Sequence, residues 1–334
     1  MMNRARTMIV LLAAGARLVW GQAEVIPQGH AVASLAYVRS DTSERFDFLG
    51  ERNRVIPPAG PLFTGRAVTD VLTLDIAYGL LPRLEAHVSI PYAFTSQPSL
   101  GANGKVVAGA EQSPASSGLS NIRLGARYNM LSRPLFVTAK VDIKAPASTP
   151  NLEELFNGVT LPIREGQTDI DFAVQISKTF SIGEHALSVG GELGYRVRLT
   201  QRKGALDTFT RGSLPVKPGN EVIYNLRAAY HVMPGLTLLL HGDGMEEGDY
   251  GVPFRFTRIG NDGVLRTVGA QGAPNGFLPD FAKQTGRRIF TLGPLASIGL
   301  NRRTSVAGGV LLAARGRNFP AGKFWVLSVS RVLH

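Results

Sequence analysis

Pairs of segments that alternate apolar and polar residues recur along this chain, joined by tight turns on one side and long polar loops on the other, and the two kinds of connection take turns. That rhythm limits the fold severely. A chain that crosses hydrocarbon must satisfy every backbone N–H and C=O internally, so without long apolar helices it can cross only as a closed sheet. Each strand of such a sheet shows lipid on one face and lumen on the other, which imposes period two over roughly ten residues. Between 119 and 130, Ile122, Leu124, Ala126, Tyr128 and Met130 share one face, and Asn121, Arg123, Arg127 and Asn129 share the other. Ile170, Phe172, Val174, Ile176 and Phe180 oppose Asp169, Asp171, Gln175, Ser177 and Thr179 in the same way; Val222, Tyr224, Leu226, Ala228, Tyr230 and Val232 oppose Asn225, Arg227 and His231. A helix would mix these sets.

The pattern predicts strands at 30–39, 67–78, 84–95, 119–130, 135–146, 167–180, 186–200, 220–232, 236–246, 287–300, 305–315 and 322–332. The tight turns centre on Leu81-Pro82-Arg83, Ser132-Arg133-Pro134, Ile182-Gly183-Glu184, Met233-Pro234-Gly235 and Asn301-Arg302-Arg303, where Pro, Gly or Asn suits the backbone angles of a turn. Long loops fall at about 40–66, 96–118, 147–166, 201–219 and 247–286, with a short one near 316–321. The fold class is therefore all-β, a transmembrane antiparallel up-and-down barrel of about twelve strands. A hairpin through 252–268 would raise the count to fourteen. An even number brings both termini to the periplasmic side with the short turns, and the long loops face outward.

Residues 1–23 have the pattern of a secretory signal: Arg4 and Arg6, the apolar run 8–16, then Gly21 and Ala23 near a cut, although Arg17 interrupts the apolar region. The apolar core is shorter than the roughly 18 residues a spanning helix needs. Residues 24–334 would then be the barrel. Removing 1–23 deletes three arginines and lowers the net charge from +11 to +8. A basic chain raises the question of nucleic acid, but no basic-aromatic binding module is present, so none is expected as a partner. In a barrel, basic lumen and loop residues would disfavour cationic solutes and would suit outer-membrane lipid and lipopolysaccharide. The chain has no cysteine, which excludes disulfides and thiolate chemistry.

Three segments carry a family likeness: GLSNIRLGARYNML at 118–131, EGQTDIDFAVQISKTF at 165–180 and NEVIYNLRAAYHVMPGLTLLLHGDG at 220–244. Over roughly residues 65–332 the chain resembles the bacterial outer-membrane barrel family named after the meta pathway of phenol degradation. Gly118, Leu119 and Ser120 match its opening before one alternating strand, and Gly166, Thr168 and Asp169 match the start of a later one. The resemblance implies an outer-membrane channel for small, hydrophobic or aromatic solutes, placed there by the barrel insertion machinery. Asn121 stands where such barrels often carry aspartate, and the chain ends Val332-Leu333-His334 rather than on an aromatic residue.

The faces expected to point inward carry both signs of charge. Arg123, Arg127, Lys140 and Asp142 on two neighbouring strands, with Asp169, Asp171, Arg196 and Arg227 on three more, are the candidate lumen-lining residues. Fixed charges on such a wall select solutes by sign and hydrogen bonding; they can equally neutralise one another in a filled interior. His87 and Ser89 share a face, and His231 and His241 flank a turn, yet no nucleophile elbow and no nameable acid accompany them. No enzyme activity, cofactor or metal is therefore expected. Residues 150–159 could form a short helix in the third long loop, capped by Asn151, that narrows the mouth. The sequence thus points to a passive channel for small molecules. A structural or adhesive barrel acting through its surface loops is the alternative, and a soluble periplasmic sandwich is a third.

Overall fold

The computed structural model describes residues 23–46, 51–54, 67–96, 114–147, 168–199, 201–204, 213–216, 219–248, 256–259, 265–268, 287–317 and 319–333. Every regular element among them is a strand. In chain order these are β1 (Ala31–Phe46), β2 (Arg52–Arg54), β3 (Ala67–Leu81), β4 (Leu84–Ser96), β5 (Pro114–Leu119), β6 (Ile122–Leu131), β7 (Phe136–Ala145), β8 (Asp169–Ile182) and β9 (His185–Arg198). They continue with β10 (Gln201–Gly204), β11 (Ser213–Val216), β12 (Glu221–Met233), β13 (Leu236–Glu247), β14 (Phe256–Ile259), β15 (Leu265–Val268), β16 (Arg288–Gly299), β17 (Thr304–Arg317) and β18 (Phe319–Leu333).

The wall follows the order β1, β3, β4, β6, β7, β8, β9, β12, β13, β16, β17, β18, and β18 pairs back onto β1, so twelve antiparallel strands close a cylinder. Each spans about what a tilted barrel strand needs. β5 continues the line of β6 beyond a break at Ser120-Asn121 and pairs with β4, while β2 folds onto the outer end of β1. The hairpin expected within 252–268 exists as β14 and β15, but among the described residues it pairs only with itself, as do β10 and β11. The fourteen-stranded alternative is thereby corrected, because the extra hairpin contributes no ladder to the wall.

Side chains follow the alternation. Leu193, Leu226 and Leu124 are 64%, 60% and 57% exposed on the outer face, surrounded by other exposed apolar residues on each of the twelve wall strands. An apolar surface of that extent is incompatible with water and matched to lipid. Its limits are marked by outward polar groups. On the extracellular side the Arg39 guanidinium stands 3.9 Å from Asp70, which also accepts the Tyr37 hydroxyl at 2.6 Å, and Arg288 pairs with Glu246. Toward the periplasm Lys178 lies 5.0 Å from the centre of the Phe180 ring, its ammonium able to reach the headgroups along an apolar stem.

The tight turns fall where expected. Gly183 and Gly235 take φ of 59° and 92°, a region costly for any residue with a Cβ. Asn301 caps its own turn by accepting the N–H groups of Arg303 and Thr304 at 2.9 Å each. Two boundaries differ from expectation. β1 runs on to Phe46 rather than ending at 39, and β17 and β18 leave only residue 318 between them where a loop at 316–321 was expected. Both differences lie beyond the lipid band, where strands continue as paired ribbon after the apolar alternation has ended. The helix expected at 150–159 and residues 1–22 lie outside the described residues.

Candidate functional site

The lumen has a floor, a charged wall and an apolar wall. The floor is the segment before β1. Residues 23–28 turn inward at the periplasmic end, with Ala23 and Ile26 each 1% exposed. Ile26 packs with Val32, Ala77 and Val332, so an apolar side chain is buried against the inner wall. Its backbone N–H donates to Glu85 Oε2 at 2.8 Å, and the other Glu85 oxygen receives the Arg127 guanidinium, with Nε at 2.8 Å. The Ala23 carbonyl accepts from Thr138 and from Asn129. Gly79 makes the approach possible. A Cβ there would fall on the carbonyl oxygen of Pro27 and 2.6 Å from that of Ile26, and Gly29 N–H donates to the Gly79 carbonyl at 2.9 Å.

The charged wall rises from this floor along β6, β7, β8 and β9. Near the extracellular mouth Lys144 meets Asp169 at 3.1 Å, Arg198 joins Asp169, Glu221 and Glu247, and Arg287 holds Glu247 at 2.6 Å. One level down, Arg196 grips Asp171 through two bonds of 2.6 and 2.8 Å and reaches Glu221 at 2.6 Å. Asp142 and Asp171 face each other directly across β7 and β8, an arrangement that repels. Arg123 stands between them, 3.8 Å from one and 3.9 Å from the other. Lys140 bridges Asp142 at 3.2 Å and Glu192 at 3.5 Å. Arg227 is buried on the inner face of β12.

The structure therefore brings seven of the eight candidate residues into one ladder or its floor, with Arg227 on a neighbouring strand. Arg127 belongs to the floor, where it holds Glu85. The expected bias against cations does not follow from this wall. Its acids and bases alternate and neutralise one another, so the chain's positive excess lies elsewhere. His87 gives its Nε2 to Asp142 at 2.8 Å rather than to Ser89, and His241 pairs with Asp243 at 2.5 Å.

The opposite wall is apolar. Leu239, Leu295, Leu311, Val326 and Ala229 form a buried inward cluster with Val38 and Phe324; Ile289, Ala313 and Ala321 extend it toward the outside beside Met245. Below it the inner face turns to hydroxyls, with Ser34 and Ser330 bonded at 2.5 Å. Against the charged wall lies a cavity of about 390 Å³, bounded below by Glu85 and Arg127 and at the sides by Asp75, Asp142, Gln175, Ile223, Asn225, Asp243 and Met245. The inward role of Asp75 was missed in the sequence, although Val71, Thr73 and Asp75 alternate with Leu72, Leu74 and Ile76. Nothing in residues 23–28 shows period two, so the floor carried no signal at all.

No protein-family model matches the chain, and no curated protein matches its sequence. Among solved structures it is similar to an outer membrane channel from Pseudomonas putida F1, with a TM-score of 0.62 at 17% identity over 94% of this chain and 98% of that one. The NanC porin aligns with a TM-score of 0.42 at 9% identity, covering 89% of this chain and 98% of its own. The CymD monoaromatic hydrocarbon channel aligns with a TM-score of 0.40 at 10% identity, covering 96% and 93%. At scores this low the last two likenesses carry no argument. The fold is that of an outer-membrane β-barrel.

Proposed function

We propose that this barrel is an outer-membrane channel for passive or facilitated passage of small molecules, hydrophobic or aromatic ones among them. The observation that carries this reading is the mixed lining of the lumen cavity. A solute with a carbon skeleton and a polar end finds the apolar side chains of Ile223 and Met245 beside hydrogen-bonding groups in the same 390 Å³ space. A barrel serving only as an anchor has no need of such a cavity. Arg123, Lys140, Asp142, Asp169, Asp171, Arg196 and Arg227 act as the selective wall, by sign and by hydrogen bonding, while Arg127 acts through the floor.

The exported chain loses its signal near residue 23, is inserted by the barrel assembly machinery, and presents basic outer residues to lipopolysaccharide. Planar-bilayer recording on the purified protein tests the proposal. Discrete conductance steps, together with swelling of liposomes in small amphipathic solutes, are expected; an electrically silent barrel with no solute flux would refute it.

One observation favours a second reading. The segment 23–28 occupies the periplasmic end of the lumen, held through Ile26, Glu85 and Thr138. If it never moves, the barrel is blocked and works through its long surface loops. Conductance that stays absent after this segment is released would select that alternative.

A further inference from the structure

A row of hydrogen-bond acceptors crosses the cavity wall at one level. Gln175 pairs in register with Glu192, Glu192 with Asn225, and Asn225 with Asp243, so four side chains on β8, β9, β12 and β13 face inward side by side. No lysine or arginine belongs to this row. Gln175 is 1% exposed, and its amide orientation is fixed because Nε2 donates to Glu192 Oε2 at 2.5 Å. Its carbonyl Oε1 is buried with no partner among the described residues, and so is Asn225 Oδ1. A buried acceptor left unsatisfied costs about 1–3 kcal/mol, so two in one wall of one cavity call for a donor.

The charge of the row points the same way. Lys140 answers Glu192 at 3.5 Å, at one end. At the other end Asp243 has, among the described residues, only a histidine, His241, as its ionic partner, and its side chain is 52% exposed to the lumen. The remaining cations that line the cavity are engaged: Arg127 with Glu85, Arg196 with Asp171 and Glu221, Arg123 between Asp142 and Asp171. On the far side Asp75 is a second cavity carboxylate that, among the described residues, has no lysine or arginine within ion-pair reach. His87, with Nε2 donating to Asp142, presents Nδ1 as one more unpartnered acceptor in its neutral form.

We infer that the cavity is a binding site for a protonated amine, whose ammonium hydrogens satisfy Gln175 Oε1, Asn225 Oδ1 and the Asp243 carboxylate while its carbon chain lies against Ile223 and Met245. An ammonium supplies three donors and a positive charge and accepts nothing, which is the complement of this row. A carboxylate or phosphate solute placed at this row would face lone pairs with no donor to answer it. The inference deepens the channel reading and rests on it, since the amine reaches the cavity along the lumen.

Titration calorimetry on the full-length protein in detergent tests it, with butylammonium, 1-butanol and butyrate as probes of equal chain length. Butylammonium is expected to bind at least about tenfold tighter than either neutral or anionic probe. Asp243→Asn combined with Asn225→Leu should weaken it by about tenfold, whereas Glu246→Gln on the outer face should leave it unchanged. Heat-modifiable gel mobility reports whether the double variant still forms a barrel; if it does not, Gln175→Leu alone serves. Equal binding of butyrate or butanol, or full affinity in the folded variant, overturns the assignment. Conductance without preference for the amine would sink the amine site and leave the channel, and amine binding in an electrically silent barrel would do the reverse.

Discussion

The carboxylate of Glu85 accepts the backbone N–H of Ile26 at 2.8 Å, joining the barrel wall to the segment that floors the lumen. Its second oxygen is taken by Arg127, so one side chain orients the segment and is itself held in place. Glu85 is 0% exposed and Arg127 4%. In such surroundings a lost partner matters more than the pair itself contributes, because the remaining charge stays buried and uncompensated.

Glu85→Gln should therefore cost about 3–5 kcal/mol of barrel stability, read as a lower denaturant midpoint in detergent. A gentler release is Gly79→Ala. Its methyl would strike the backbone of Pro27 and Ile26 while leaving every lumen charge intact. Single-channel conductance should rise in this variant with no change in ion selectivity. Unaltered conductance would mean that the segment does not govern the path.

Arg123 keeps two opposed aspartates apart, and it does so loosely, at 3.8 and 3.9 Å and with its side chain 35% exposed. Arg123→Met should destabilise the barrel by about 1–2 kcal/mol, less than a fully buried pair would, because water screens part of the interaction. Selectivity should move with the charge. Losing one cation beside Asp142 and Asp171 shifts the reversal potential in a salt gradient toward cation preference. A shift toward anions would show that Arg123 does not face the permeating ions.

Leu226 lies midway along β12 on the outer face and is 60% exposed. Leu226→Arg should lower stability in phospholipid vesicles by about 2–4 kcal/mol, the cost of a guanidinium near the bilayer midplane. Asn225→Arg, one residue away, would point into the lumen and should cost less. Equal costs for the two would contradict the assignment of faces.

Much of this architecture was legible in the residues. β6, β8 and β12 alternate cleanly because one face meets lipid and the other meets water and charge, and the two solvents select opposite chemistry. The signal fades where both faces are apolar. Val310, Leu311 and Leu312 on β17 read as a continuous run because Leu311 joins the lumen cluster while Leu312 faces lipid. The candidate charges were visible singly, but their pairing was not. Arg196 meets Asp171 at a sequence distance of 25 residues and Arg127 meets Glu85 at 42, distances fixed by register rather than by local pattern. The floor was invisible for a different reason: a peptide threaded into a lumen needs neither period two nor period 3.6, only a wall that offers the right partners.

The seam between β1 and β18 joins Ala31 to Leu333 and Phe46 to Phe319, so the first strand of the wall has its partner in the strand farthest from it along the chain. Until β18 is in place, the edges of both strands are open, and no chain without it can present a continuous wall to the bilayer. Closure is consequently a single late event with a large entropic cost of bringing distant ends together. A chain lacking its final strand should remain with periplasmic chaperones or be degraded, rather than persist as a smaller pore.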